Sequence, residues 1–287
     1  MKISIIGAGR VGSQIAFVLM ERGLCDEIVI IDIIKDRAQG EALDLLHCSS
    51  EIDKKIKISG GDDYSLVNGS EIIIITAGVA RKPGDTRLDL AKKNSQIMQD
   101  IVRRLPKEGL ILVVSNPVDV MTYQVLKSTN KDKTEVFGLG TMLDTMRLRS
   151  LLLEKYGKCD EVYIIGEHGD SMIPVFGKLA ERGNMNELKS VFENVRKGAA
   201  EVIKLKGATV FAPAVAVAKV VQSVVRDERK ILPISALREE YGVCISLPTI
   251  IGKKGANFID FELNEEEKDG LLKSVEVLKK AKEQLHL

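Results

Sequence analysis

The chain has 287 residues, 45% hydrophobic and 29% charged, which at about 150 residues per domain means two domains or one large α/β unit, with no compositional case for disorder. Lys plus Arg number 42 against 41 Asp plus Glu, a formal net charge of +1; this excludes a strongly basic nucleic-acid surface and a polyacidic tail, so any anion recognition must be local. The residues before Gly7 are too few for a signal-peptide core, and uncharged runs such as 72–80 and 210–218 are half a membrane span, with none in the chain longer than 12 residues, so the chain reads as cytoplasmic, with no membrane segment.

Taken in order, runs rich in Ile and Val at 2–6, 27–31, 56–58, 72–76 and 110–114 read as strands, and stretches of helical period at 10–22 and 34–49 lie between them. Strands apolar on both faces and separated by helices make a parallel sheet covered on both sides, the doubly wound α/β pattern. After Gly138 the pattern changes. A helix at 141–156, a strand at 161–165, long helices at 187–205 and 214–227, and strands at 244–251 and 257–263 lead to a last helix. Asn264 caps that helix and Glu265, Glu266 and Glu267 fill its first turn, as the helix dipole favours. This divides the chain into 1–140 and a mixed α+β unit of 141–287, closely packed without a linker.

Gly7-Ala8-Gly9-Arg10-Val11-Gly12 matches GxGxxG between the first strand and the first helix. The first glycine permits the tight turn, the second lets backbone approach a pyrophosphate, and the third lets helix pack on strand. Asp32 follows twenty residues after Gly12, where a carboxylate accepts from ribose hydroxyls and repels a 2′-phosphate, so NAD is favoured over NADP.

Of the three histidines, His286 lies beside the carboxyl terminus and His47 sits on a helix with Ala42, Leu45 and Leu46, where partial burial is expected. His168 lies in Gly166-Glu167-His168-Gly169-Asp170, just past a strand. On these grounds it is either a general acid/base or a plain loop histidine. The four cysteines, Cys25, Cys48, Cys159 and Cys244, are scattered without metal spacing and read as reduced, mostly buried thiols with no metal site.

The glycine turn, Asp32, the segment from Ala80 to Leu90, Asn116-Pro117-Val118-Asp119, Leu143-Asp144-Thr145-Met146-Arg147 and the His168 motif follow one another in the order and spacing of the lactate/malate dehydrogenase superfamily. Within it the sequence resembles the lactate-dehydrogenase-like malate dehydrogenases of archaea and bacteria. The resemblance covers nearly the whole chain. It implies a Rossmann domain carrying NAD, a catalytic second domain, and a loop that closes over the substrate. By the same resemblance His168 is the proton donor and acceptor, Asp144 its carboxylate partner, and Arg147 the anchor of the substrate's C1 carboxylate. Arg87 polarises the carbonyl, Asn116 contacts substrate and nicotinamide, and Arg81 reads the far end of the substrate. Asn94 and the backbone of Val114, Ser115 and Asn116 match further NAD contacts, and the Asn116–Pro117 bond is expected to be cis.

The chemistry agrees with these roles. Removing a hydroxyl proton during hydride transfer needs a base that starts neutral and ends cationic, and a buried carboxylate stabilises that cation. Asp144 is therefore expected to raise the His168 pKa. Arginine meets a carboxylate bidentately and does not deprotonate; a lone Arg147 would read as a surface ion-pair residue, but the i, i+3 spacing to Asp144 puts both on one helix face. A guanidinium at Arg81 in a closed site needs a partner that the C4 carboxylate of malate or oxaloacetate supplies and a methyl group does not, which favours the dicarboxylate by about 3–5 kcal/mol. In the family that the sequence resembles, lactate-specific members usually carry Gln at this position. Asp85, in place of an uncharged residue in relatives, faces solvent or pairs with Lys82 in this reading.

The expectation is malate dehydrogenase, with L-lactate dehydrogenase and a non-catalytic NAD-binding module as alternatives. No nucleic-acid or membrane partner is expected. The resemblance further implies a homotetramer or homodimer, with the helix of Ala42, Leu45 and Leu46 at a subunit interface unless that face packs into its own core, and an anion-binding position at Arg149.

Overall fold

The computed structural model describes residues 1–52, 55–79 and 86–287, with Arg87 described for its backbone alone. The first half runs β1 (Lys2–Ile6), α1 (Arg10–Glu21), β2 (Glu27–Ile31), α2 (Lys35–Cys48), β3 (Lys57–Gly61), β4 (Ile72–Ile75), α3 (Arg87–Val102), β5 (Leu110–Val113), α4 (Val118–Ser128) and β6 (Val136–Gly138). These strands pair in parallel in the order β3-β2-β1-β4-β5-β6. The order reverses between β1 and β4, and a crevice at the carboxyl ends of the strands opens at such a reversal.

Alternation explains why β4 is four isoleucines in a row. Ile72 and Ile74 join the core beneath α1, while Ile73 and Ile75 join the opposite core with Met98 of α3 and Val120 and Met121 of α4. Both faces of the strand are covered, so both sets of side chains must be apolar.

The second half comprises α5 (Met142–Tyr156), β7 (Tyr163–Ile165), β8 (Ile173–Val175), α6 (Leu179–Arg182), α7 (Met185–Lys206), α8 (Phe211–Val225), β9 (Lys230–Arg238), β10 (Val243–Gly252), β11 (Gly255–Phe258) and α9 (Glu265–Glu283). α8 packs on the α1 face of the sheet and α9 on the other, while α5 and α7 enclose a third core around Leu148, Leu152, Phe192 and Val195. Among the described residues no helix is long and apolar enough to cross a membrane.

The sequence reading missed β9, and with it the joint between the halves. β9 and β10 form a long antiparallel pair, and β9 meets β6 at Ser235 opposite Gly138, so the sheet continues across residue 140 as β11-β10-β9-β6. Gly140, with φ +55°, sits against this joint: a Cβ there would lie 2.3 Å from Ser246 Oγ and 2.6 Å from Ser235 N. The close approach requires glycine. The strand expected at 161–165 shortens to Tyr163–Ile165, and that expected at 257–263 becomes Gly255–Phe258.

Candidate active site

The amino-terminal turn has the form a pyrophosphate needs. Gly7 adopts φ +114°, and a Cβ on Gly12 would lie 1.9 Å from the Gly7 carbonyl oxygen, whereas a Cβ on Gly9 would meet nothing within 4 Å. Gly7 and Gly12 thus serve the fold, and Gly9 leaves open space in front of α1. Gly9 is the N-cap of α1 without a side-chain cap, so the amides of Arg10, Val11 and Gly12 are left for a ligand at the positive end of the helix dipole. Ala8 is buried, and its amide donates to Asp32 Oδ2 at 2.8 Å while Asp32 Oδ1 accepts from Ile34 N at 2.9 Å. Asp32 therefore secures the turn as well as standing at the end of β2, with lone pairs remaining for a ribose. The residues present fit a dinucleotide.

Behind the carboxyl ends of β4 and β5, polar side chains brace the crevice. Asn94 is buried; its Oδ1 accepts from Val79 N at 2.8 Å and its Nδ2 donates to Asn116 O at 2.7 Å. Ser115 Oγ donates to Ala77 O at 2.6 Å, and Val114 N and Ser115 N both donate to Ile75 O. Asn94 and the Ser115 hydroxyl are thus committed to the chain, holding Asn116 in place; the Asn116 side chain is exposed. The Asn116–Pro117 bond is cis, as expected.

α3 begins at Arg87 because Thr86 and Asp89 form a reciprocal cap: Asp89 N donates to Thr86 Oγ1 at 3.1 Å and Thr86 N to Asp89 Oδ2 at 3.0 Å. Arg87 thus starts the helix that carries Asn94. The Arg87 side chain, Arg81, Lys82 and Asp85 lie outside the described residues.

Across the joint, the first turns of α5 bring Asp144 and Arg147 onto one face. Nδ1 of His168 lies 2.6 Å from Asp144 Oδ2, and Arg147 Nη1 donates to Asp144 Oδ1 at 2.9 Å. The Asp144 side chain is 4% exposed, against 25% for His168 and 17% for Arg147, so a buried anion supports two groups that remain open to a ligand. Burial by itself would raise the Asp144 carboxyl, but the imidazole and guanidinium outweigh it and hold it below the usual carboxylate range. For His168, burial favours the neutral ring, yet the charge and hydrogen bond of Asp144 and the charge of Asp119 prevail and push its pKa up to about 9. An imidazole paired to a buried carboxylate on one side and open on the other can pass a proton to and from a ligand.

The loop carrying His168 is held at successive residues by different elements. Gly166 exchanges backbone hydrogen bonds with Ser246 of β10, Glu167 N donates to Ser274 Oγ of α9 at 2.6 Å, and His168 N donates to Asp119 Oδ2 of α4 at 2.8 Å. Asp119 is buried, its Oδ1 has no hydrogen-bond partner, and desolvation pushes its pKa up to about 6 despite the hydrogen bond from the His168 amide. Asp119 and Ser274 received no role from the sequence. The signal for Asp119 was present: it is an acid in the otherwise uncharged opening of α4.

Other expectations divide. On α2, Ala42 and Leu45 pack into the chain's own core while Leu46 is exposed with Leu43, so the expected shared face splits; His47 is exposed, not half-buried. Three cysteines are buried and Cys48 is exposed. Arg149 donates through Nε to Val162 O and through Nη2 to Asp160 O, and its guanidinium covers the Tyr163 ring at 5.0 Å, partners supplied within the chain.

Residues 1–138 match the family model described as lactate/malate dehydrogenase, NAD binding domain, and 141–286 match lactate/malate dehydrogenase, alpha/beta C-terminal domain. The chain is 47% identical over 293 residues to a malate dehydrogenase of Archaeoglobus fulgidus, covering 99% of each chain. It is 44% identical over 303 residues to an L-lactate dehydrogenase of Clostridium perfringens, covering 97% of this chain and 95% of that one. Among solved structures, the Archaeoglobus fulgidus malate dehydrogenase in complex with NADH superposes with a TM-score of 0.93 at 46% identity, over 100% of both chains. A lactate dehydrogenase from a Medee basin deep-sea metagenome library superposes with a TM-score of 0.94 at 32% identity, over 100% of this chain and 99% of that one. The chain is a member of the lactate/malate dehydrogenase family, with NAD as its cofactor.

Proposed function

We propose that this oxidoreductase is a malate dehydrogenase, interconverting (S)-malate and oxaloacetate. The observation that carries the chemistry is the placement of His168 and Arg147 on the one buried carboxylate of Asp144. NAD, when bound, supplies the nicotinamide that accepts or returns the hydride at C2; Gly9, the amides of Arg10, Val11 and Gly12, and Asp32 are the groups that would hold it, with Asn94 and Ser115 bracing Asn116 beside it.

Because Nδ1 of His168 faces Asp144, its proton is donated there and Nε2 is the ring nitrogen left for substrate. During oxidation Nε2 takes the C2 hydroxyl proton, and the resulting imidazolium is stabilised by Asp144. In the reverse direction the protonated ring returns that proton to the forming alkoxide. Arg147 spends Nη1 on Asp144 and keeps its other donors for the C1 carboxylate, which it then holds fixed relative to the base. Arg87 is assigned to the reacting carbonyl and Arg81 to the C4 carboxylate. Asn116 is assigned to the space between substrate and nicotinamide.

The choice of a dicarboxylate rests on Arg81. Identity alone does not separate the two acids, since the malate and lactate relatives stand at 47% and 44%. Initial rates of NADH oxidation with oxaloacetate and pyruvate in parallel test the reading. A preference for oxaloacetate of about 100-fold or more in kcat/KM is expected. Preference for pyruvate would make the protein an L-lactate dehydrogenase, and no oxidation with either would leave a non-catalytic NAD-binding module. The working assembly is a homotetramer or homodimer, supported by the exposed Leu43 and Leu46 on α2 and tested by light scattering.

A further inference from the structure

We propose that Ser274, on the carboxyl-terminal helix α9, is a positioning residue for His168. The proposal rests on the reading of His168 as the acid/base and concerns a residue that touches neither substrate nor cofactor.

The geometry is a closed ring of hydrogen bonds. Glu167 N donates to Ser274 Oγ at 2.6 Å, the Ser274 and Ser171 hydroxyls are 3.0 Å apart, and Ser171 Oγ donates to Glu167 Oε2 at 2.5 Å. A carboxylate only accepts, so the Ser171 proton goes to Glu167, and the proton between the two hydroxyls must belong to Ser274. The ring therefore has one direction: from the Glu167 amide through Ser274 and Ser171 back to the Glu167 side chain. Ser274 is fully buried and is the member of the ring that comes from outside the loop.

The loop is packed tightly against this hydroxyl. Gly166, at φ +92°, would place a Cβ 2.8 Å from Ser274 Oγ and 2.7 Å from Ile173 Cδ1. The side chain at 274 thus sets how far the loop can lean toward α9. Leu271, Val275 and Leu278 bury the same helix against the sheet, so the hydroxyl is fixed by the fold and not by the loop it holds.

What Ser274 controls is the peptide immediately before His168. The amides of Glu167 and His168 are pinned in succession by Ser274 and Asp119. With both pins in place the imidazole reaches Asp144 at 2.6 Å. With the first pin removed the chain can pivot about the second, and a hydrogen bond of that length weakens steeply with displacement. Other charged groups acting on the imidazole are Asp144 and Arg147 on α5 and Asp119 on α4, with Glu167 of the loop and the Cys244 thiol of β10 acting on or near Asp119. Ser274 adds no charge; its influence on the imidazole passes through geometry.

The chain has three histidines, so the imidazole titrations of the full-length protein are resolvable by NMR, and this readout does not depend on turnover. Ser274→Ala is expected to lower the His168 midpoint by about one pH unit or more and kcat near neutral pH by about 10- to 100-fold, with KM for NADH within about two-fold of wild type. Ser171→Ala, which keeps the Glu167 amide on Ser274, is expected to give a smaller shift in the same direction, and it serves as the test should Ser274→Ala not fold. Leu278→Ala, which opens a cavity under the same helix, is expected to lower Tm more and leave the midpoint in place. A His168 midpoint unchanged in both serine variants, or moved as far by Leu278→Ala, would overturn the proposal. If the midpoint moves but wild-type protein turns over neither keto acid, the positioning stands and the assigned activity falls.

Discussion

Nδ1 of His168 lies 2.6 Å from Oδ2 of Asp144, and the other oxygen of the same carboxylate accepts from Arg147 at 2.9 Å. The proton carrier and the carboxylate anchor are thereby oriented by one side chain that is 4% exposed. A substrate held by Arg147 is at once in register with the base, and the cost of ordering the two groups is met on folding.

The pairing has a pH signature. His168 is raised from 6.5 to about 9, so its contribution to stability is fully present below the unfolded value and is lost as pH rises through about 9. Reduction of the keto acid needs the protonated ring and should fall along the same limb, while oxidation of the hydroxy acid should rise. In Asp144→Asn the burial of His168 goes unopposed by that charge: its midpoint is expected to drop toward or below the ordinary histidine value, and kcat to fall about 100-fold or more. Profiles of kcat/KM in both directions check this; a limb unmoved by the substitution would contradict it.

Asp119 offers a separate test of charge against hydrogen bonding. Asp119→Asn keeps an acceptor for the His168 amide but removes a negative charge that supports the imidazolium. The alkaline limb of keto-acid reduction is expected to move to lower pH while the loop stays in place. A limb at its wild-type position would show that Asp119 acts on His168 through the hydrogen bond alone.

The glycine turn separates cofactor binding from folding. Gly9 has φ −78° and open space beyond it, so Gly9→Ala should keep its Tm and weaken NADH binding by about ten-fold or more, as a methyl group enters the place of the pyrophosphate. Gly12→Ala would drive a Cβ into the Gly7 carbonyl and is expected to lower Tm. Thermal melts with and without NADH distinguish the two; equal losses of Tm would contradict the division of roles.

Much of this was legible in the sequence because local rules and global fold agree there. Isoleucine runs buried on both faces, a glycine turn after the first strand and a capped last helix each have a local cause. β9 was not legible: Pro233 interrupts its pattern, and proline argues against an interior strand. In the fold Pro233 faces Pro248 in register, and their outer neighbours pair at Ser235 and from Thr249 onward, so neither missing N–H is called for. The His168–Asp144 pair followed from family spacing, whereas Ser274 reaches Glu167 across 107 residues as one serine in a polar helix, a contact that only the packing of α9 reveals.

Selectivity for a dicarboxylate depends on the pairing of Arg81 with the second carboxylate of the substrate. The ratio of kcat/KM for oxaloacetate to that for pyruvate, measured with NADH for the wild type and Arg81→Gln, tests it most directly. The ratio should favour oxaloacetate in the wild type and fall by about two to four powers of ten in the variant, the cost of leaving the C4 carboxylate unpaired in a closed site. A wild-type preference for pyruvate, or a ratio that Arg81→Gln leaves unchanged, would contradict it.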